Sequence, residues 1–383
     1  MKVVIIGGSN SLKKEGWTSH LPEALPGIQI VNQSIGATPS LMGYYRLTTG
    51  VPLAAGDVVV WEYALNDEGK IKSRSYTEEA AHRHIEMTVR YALSKGASFI
   101  PLVFSEIRNS KLNHKNRYST GLSRIFSAYG LTAISATNLY GEEYDVDRIP
   151  DEQFRNAKHY SSDSDVIKLV VQSVLAQIET PVVPRPDVSP IYCAETPDCV
   201  FLSEFEGGRQ FEFKNSILQL AANQPLDDSP LQLKIPAGEW TISGAILLRS
   251  KKPRAFNFEF GGNVVSCTIG YRSPKYSKPI LGFKPLSTGP HVTLAGDTVM
   301  NITRAEARHK RKRAADSETT AAQTDDHGVI CLILEPARPV SAFNRWFGEA
   351  KKFLSVKTRI LRLGRKVRNR ILPSRRRRKN RRR

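Results

Sequence analysis

Acyl transfer needs a nucleophile, a base and hydrogen-bond donors for an oxyanion. Side chains of each type stand at the ends of apolar runs in this chain. Ser9 follows KVVIIGG, where residues 3–6 are apolar and Gly7-Gly8 breaks the run. NQSIGATPS places Gly36 just past a second run, and WEYALND places Asn66 just past a third. NAKHYSSDSD brings His159 in ahead of a helical stretch. Ser9 taken alone has two other readings, a phosphate cradle and a helix cap. A P-loop needs GxxxxGKS/T and a dinucleotide fold needs GxGxxG. Gly7-Gly8-Ser9-Asn10-Ser11-Leu12-Lys13-Lys14 satisfies neither. A serine that only caps the next helix stays open.

The elements that must position these residues are legible over the first 180 residues. KVVIIG, IQIVNQSIG, DVVVWEYALND, ASFIPLVFS and LTAISATN read as strands. Residues 77–95 and 118–129 read as helices ended by Gly96 and Gly130. Residues 163–178 carry apolar side chains at 166, 169, 170, 171, 174, 175 and 178, a helical period. Short apolar strands alternating with helices argue an α/β domain with a parallel sheet. Ligands of such sheets bind beyond the carboxyl ends of the strands. Ser9, Gly36 and Asn66 then share one rim, and His159 reaches it from a loop. A domain of this size buries roughly 70% of its unfolded surface, enough to stand alone.

These residues resemble the SGNH (GDSL-type) hydrolases, serine esterases with a flavodoxin-like α/β/α sandwich. The resemblance covers residues 1 to about 180. GGS at 7–9 matches the first family block, Gly-Asp-Ser, with Gly8 in place of the aspartate. Gly36 in NQSIGAT matches the oxyanion glycine of the second block. ALND at 64–67 matches the third, Gly-x-Asn-Asp, with Ala64 for the glycine. NAKH at 156–159 matches the last, Asp-x-x-His, with Asn156 at the aspartate position. Each block alone is weak; four in order form a specific set.

The resemblance implies catalytic roles for Ser9 as nucleophile and His159 as base. It implies an oxyanion hole made by the backbone N–H groups of Ser9 and Gly36 and the Asn66 amide. A carboxylate beside the histidine fixes its tautomer and stabilises the imidazolium, and an amide there costs a serine protease about 10⁴ in turnover. Asn156 and Asp151 are the possible orienters of His159, and the missing aspartate leaves three arrangements open. A backbone carbonyl orients His159 in a Ser–His dyad, Asp151 swings in from the same loop, or the enzyme is weak or inactive. His82 and His84 lie two apart on a predicted helix and point to different faces, so no metal site is expected there. His291 reads as structural or exposed. No cofactor is implied. Trp17, Tyr44 and Tyr45 follow the first two blocks, and either line a pocket or pack in the core.

Beyond the hydrolase-like domain, 1–180, the Pro-rich residues 181–190 read as a linker. Residues 191–303 show alternation and β-branched residues without a long helical pattern, a β-sandwich domain. Trp240, Phe256, Phe258 and Phe260 read as core or as a sugar platform. Residues 304–328 form a charged linker or insertion, and 329–340 hold a last strand, VICLIL, and a linker. Residues 341–383 read as a basic amphipathic helix with an Arg-rich end. Cys193 and Cys199 lie close enough in sequence for a disulfide, and buried thiols are the other reading.

The chain has 383 residues and a net charge of +19. Residues 304–383 hold 25 Lys/Arg and 7 Asp/Glu, whereas residues 1–303 are nearly neutral at +1. Phe343, Trp346, Phe347 and Phe353, interleaved with the basic residues, favour an anionic membrane surface. An acidic polymer is the next candidate partner, then nucleic acid. The N-terminal apolar run is too short for a signal peptide, and no segment reads as a membrane span. The expectation is a cytoplasmic protein, peripheral at the inner membrane face. Its expected activity is ester hydrolysis on an acylated carbohydrate or polysaccharide through an acyl-enzyme on Ser9. The alternatives are a polysaccharide O-acyltransferase with the same site, and a non-catalytic glycan- or anionic-surface-binding protein.

Overall fold

The computed structural model describes residues 1–12, 14–181, 184–193, 199–214, 219–249, 254–269, 280–286, 292–294, 298–305 and 328–336. Its first sheet contains β1 (Lys2–Gly7), β2 (Gln29–Asn32), β3 (Val58–Glu62), β4 (Ser98–Val103) and β5 (Ile134–Ser135). All pair in parallel in the order β2-β1-β3-β4-β5, the flavodoxin-like order whose switch point lies between β1 and β3. The helices are α1 (Leu21–Ala24), α2 (Ser40–Gly50), α3 (Ala64–Lys72), α4 (Glu78–Ser94), α5 (Arg117–Ala128), α6 (Ala136–Tyr144) and α7 (Asp165–Glu179). A two-stranded hairpin, β6 (Phe154–Asn156) and β7 (His159–Tyr160), precedes α7.

Alternation along β1 divides the core into two layers. Val4 and Ile6 pack with Leu41, Ile85 and Phe126, from α2, α4 and α5. Val3 and Ile5 pack with Leu21, Tyr140 and Val170, from α1, α6 and α7. A strand covered on both faces reads as the unbroken apolar run seen at KVVIIG. The predicted helices 77–95, 118–129 and 163–178 appear as α4, α5 and α7. Their starts have local causes: Thr77, Asn116 and Ser164 each accept a backbone N–H of the first turn through the side chain. The predicted run DVVVWEYALND divides, because the strand ends at Glu62 and ALND opens α3.

A β-rich second domain follows. Its strands are β8 (Val200–Leu202), β9 (Arg209–Lys214), β10 (Gln219–Gln224), β11 (Leu231–Ile235), β12 (Gly238–Arg249), β13 (Arg254–Phe260), β14 (Asn263–Ile269), β15 (Ile280–Pro285), β16 (Val292–Leu294), β17 (Thr298–Ala305) and β18 (Gly328–Pro336). One antiparallel sheet runs β15-β12-β18-β10-β9, with β16 on β12 and β8 on β18. The other runs β11-β17-β13-β14. VICLIL is the centre of β18 and lies between β12 and β10 in the larger sheet. Phe256, Phe258 and Phe260 sit in the core between the sheets, and Trp240 packs against it. Cys193, Cys267 and Cys331 are buried.

The larger sheet is buried on both faces. Ala245 and Leu247 of β12 face the smaller sheet, whereas Ile246 and Leu248 join the core layer of α2, α4 and α5. β11 has one covered face, and its sequence LQLKI alternates buried and exposed residues. Residues Met1–Ala337 form one compact unit. The junction is also polar. Glu335 of β18 accepts from Arg83 Nε at 2.5 Å and stands 2.6 Å from His84 Nε2. Glu86 of α4 accepts the backbone N–H groups of Ile191, Tyr192 and Cys193. Tyr44 and Tyr45 are buried here against Phe201, and Trp17 is fully buried. His82 stacks on Tyr118, with Nε2 2.9 Å from the Tyr118 carbonyl. No helix among the described residues is long and apolar enough to cross a membrane. His291, the charged stretch 306–327 and the helix expected at 341–383 lie outside the described residues.

Candidate active site

Ser9 follows β1 in a turn rather than at a helix start, and the next helical turn begins at Trp17. Glu62, the last residue of β3, holds that turn from below. Its backbone carbonyl and its Oε2 both accept the Gly8 N–H, at 2.9 and 3.1 Å. Oε2 also accepts the Ser11 hydroxyl at 2.7 Å. Burial lifts the Glu62 pKa to about 7, although the hydrogen bonds from Ser11 and Gly8 pull it down. Nothing in the apolar run VVVWE signalled a carboxylate under the Ser9 turn.

Ser9 Oγ stands 2.7 Å from His159 Nε2. The other ring nitrogen, Nδ1, stands 3.0 Å from Asn156 Oδ1. The same oxygen accepts the Lys158 backbone N–H at 3.1 Å. A backbone N–H only donates, so the oxygen end of the amide must face it. Nδ1 then carries the ring proton, which leaves the Nε2 lone pair for the Ser9 hydroxyl. Of the two residues considered as orienters, Asn156 holds this place, and the Asp151 carboxylate pairs with Arg148 at 2.9 Å. The two loops are tied together where Asn10 Nδ2 donates to the Lys158 carbonyl, at 3.2 Å. The β6–β7 hairpin is held to the end of β4 by Tyr160, whose hydroxyl donates to the Ser105 carbonyl.

Gly36 lies on the other side of Ser9. A Cβ on Gly36 would stand 3.4 Å from the Ser9 Cβ, so position 36 lies in direct contact with the Ser9 side chain. The next residue, Ala37, has φ +60°, a left-handed conformation that costs a non-glycine residue energy and tends to mark functional loops. Asn66 sits in the first turn of α3. Its Nδ2 donates to the Thr38 carbonyl at 2.9 Å, which leaves its second N–H. A Cβ on Gly8 would lie 2.6 Å from this Nδ2. Glycine at position 8 therefore lets the Asn66 amide reach the Ser9 turn. The neighbouring Asp67 is fully buried and accepts from Ser40 N–H at 2.9 Å, from the Ser40 hydroxyl, and from Tyr118 OH at 3.1 Å. Burial raises its pKa to about 7. It joins the starts of α2, α3 and α5, and so positions Asn66.

Ser9, Gly36, Asn66 and His159 line one cleft of about 620 Å³. Its further lining includes Ala37, Lys70 and Lys158, and Leu281, Gly282 and Phe283 from β15. The second domain thus contributes a wall to the cleft, which the sequence did not reveal. Those residues pair with β12 some 35 positions earlier, and only the tertiary fold carries them to Ser9. Among the described residues no group of three His, Cys, Asp or Glu could hold a metal ion.

No protein-family model and no curated protein matches the sequence. Solved structures match the fold. A two-domain esterase (CEX) active on acetylated mannans aligns over 88% of this chain and 92% of its own, with 13% identity and a TM-score of 0.59. The same esterase co-crystallised with mannopentaose gives a TM-score of 0.60 at 13% identity, with the same coverage. A member of the lipolytic protein G-D-S-L family from Veillonella parvula aligns over 47% of this chain and 99% of its own, with 11% identity and a TM-score of 0.38. The parallel five-stranded part of the chain has a flavodoxin-like α/β/α fold and a β-rich domain follows it, an architecture similar to that of the two-domain esterase.

Proposed function

We propose that the protein is a serine ester hydrolase that removes an acyl group, foremost an O-acetyl group, from a carbohydrate or polysaccharide. The observation that carries this reading is the hydrogen-bonded series Ser9 Oγ, His159 Nε2, His159 Nδ1, Asn156 Oδ1, with separations of 2.7 and 3.0 Å at its two ends.

In the first half-reaction Ser9 Oγ attacks the ester carbonyl while His159 Nε2 takes its proton. The carbonyl oxygen becomes an oxyanion, received by the backbone N–H groups of Ser9 and Gly36 and the second N–H of Asn66. Collapse breaks the bond to the sugar oxygen, which leaves with the proton from His159. Water then repeats the sequence on the acyl-Ser9 ester and releases the carboxylic acid. Asn156 keeps Nδ1–H aimed and the tautomer correct, but brings no negative charge to the imidazolium. The site has the parts for turnover, at a rate below that of a carboxylate-supported triad. The two-domain esterase supports a carbohydrate substrate, because it is named as active on acetylated mannans and aligns over 88% of this chain and 92% of its own.

The test is labelling with a fluorophosphonate and mapping of the adduct by mass, beside a His159→Ala control. An adduct on Ser9 that needs His159 supports the reading. A folded protein without an adduct overturns it.

A further inference from the structure

The two backbone donors proposed for the oxyanion come from separate loops. The Ser9 N–H follows β1 and the Gly36 N–H follows β2. The loops touch, since a Cβ on Gly36 would meet Ser9 Cβ at 3.4 Å and Leu12 Cδ1 at 3.5 Å. One side chain bonds to both. Asn32, the last residue of β2, donates from Nδ2 to the Ser11 carbonyl at 2.6 Å. Its Oδ1 accepts the Ser34 backbone N–H at 3.0 Å. A carbonyl only accepts and a backbone N–H only donates, so both ends of the amide are assigned.

Each bond grips its loop two residues from a donor. Ser11 belongs to the turn that Ser9 opens, which the Leu12 N–H closes on the Ser9 carbonyl at 3.4 Å. Ser11 is fully buried, and Glu62 and Trp17 hold its hydroxyl. Ser34 is fully buried too. On either side of it the Gln33 and Ile35 N–H groups bond to the Ile5 and Gly7 carbonyls of β1, whereas the Ser34 N–H goes to Asn32. Asparagine suits the place because its amide carries a donor and an acceptor side by side. Aspartate would lack the donor, and leucine would lack both.

We infer that Asn32 is a positioning residue for the reaction: its amide ties the nucleophile turn to the oxyanion loop and sets the spacing of the Ser9 and Gly36 N–H groups. The inference rests on the esterase reading and adds to it a residue that touches no reacting atom. Oxyanion donors act at about 2.7–3.1 Å, and a misplacement of about 1 Å can cost about 10²-fold in rate. Ground-state binding does not depend on that spacing, so the loss falls on kcat rather than on KM.

The experiment measures kcat and KM on 4-nitrophenyl acetate for the wild type, Asn32→Ala and Asn32→Asp. Asn32→Ala breaks both bonds and should lower kcat by about ten- to a hundred-fold, with KM within about two-fold. Asn32→Asp keeps the acceptor for Ser34 and loses the donor to Ser11. It should lower kcat nearly as much, and its matching shape keeps the test open if Asn32→Ala does not fold. Methylboronic acid, whose adduct on Ser9 puts an anionic oxygen near the same donors, should bind each variant more weakly by the factor lost in kcat/KM. Full kcat in a folded variant, or a raised KM with kcat intact, overturns the inference. Failure of the esterase reading looks different, because the wild type then gives neither hydrolysis nor a Ser9 adduct. Amide hydrogen exchange decides the role of Asn32 in that case. Exchange should rise in both segments 8–12 and 33–38 of Asn32→Ala, and a rise confined to one of them, or found in neither, overturns the inference.

Discussion

Asn156 Oδ1 stands 3.0 Å from His159 Nδ1 while the backbone N–H of Lys158 holds the same oxygen. The serine-protease penalty of about 10⁴ for an amide in this place arises from the wrong tautomer. Here the loop itself fixes the amide, so the tautomer is right and only the charge is missing. Asn156→Asp should raise kcat on 4-nitrophenyl acetate by about ten-fold or more through stabilisation of the imidazolium. Asn156→Ala should lower it. Steady-state kinetics of the two variants check this, and a drop in both contradicts it.

Asn66 and Gly8 share one space, since a Cβ at position 8 would come 2.6 Å from Asn66 Nδ2. Asn66→Ala should cost roughly 10²–10³ in kcat, the range for a lost oxyanion donor, with KM little changed. Gly8→Ala should cost kcat in the same way by pushing the amide aside. A KM effect with kcat intact in either variant would place Asn66 outside the oxyanion site.

Glu62 makes stability depend on pH. Its pKa is raised from 4.5 to about 7 in the folded protein. Between those values the folded state keeps a proton that the unfolded chain has released. Its contribution to stability is therefore complete below about pH 4.5 and is lost as the pH rises to about 7. Asp67 acts in the same direction. Glu62→Gln keeps the hydrogen-bonding shape and removes one titration. Denaturant unfolding at about pH 5 and about pH 8 should show a loss smaller in the variant by on the order of 3 kcal/mol. An unchanged pH dependence contradicts it.

Glu335 acts with the opposite sign. Burial would lift its pKa, but His84 and Arg83 outweigh that and hold it well below the usual carboxylate range. Its stabilisation is present above the ordinary carboxylate pKa and is lost as pH falls through the depressed one. Glu335→Gln should lower stability at neutral pH by about 3 kcal/mol, because it leaves Arg83 without its counter-charge at the junction of the domains. Chemical denaturation measures this, and wild-type stability in the variant would show that the pair contributes nothing.

The α/β layers were legible because each strand is a short local run and each main helix has its own periodicity and cap. KVVIIG reads as a buried strand wherever it lies, and Thr77, Asn116 and Ser164 mark helix starts by chemistry within a few residues. Three of the four candidate residues, Ser9, Gly36 and Asn66, were legible for a related reason, since each follows a strand whose end a parallel sheet gathers on one rim, whereas His159 reaches it from the β6–β7 hairpin. Local pattern could not show that the Asn156 amide itself meets the His159 ring; the Lys158 N–H and the turn that bends Asn156 back bring the two together. Nor could it find Glu62, whose apolar neighbours hide its role, or Phe283, separated from Ser9 by more than 270 residues. Residue types and their order determined which chemistry the chain can carry. The tertiary structure decided which groups meet, because burial, hydrogen-bond geometry and the docking of the second domain depend on contacts distant in sequence.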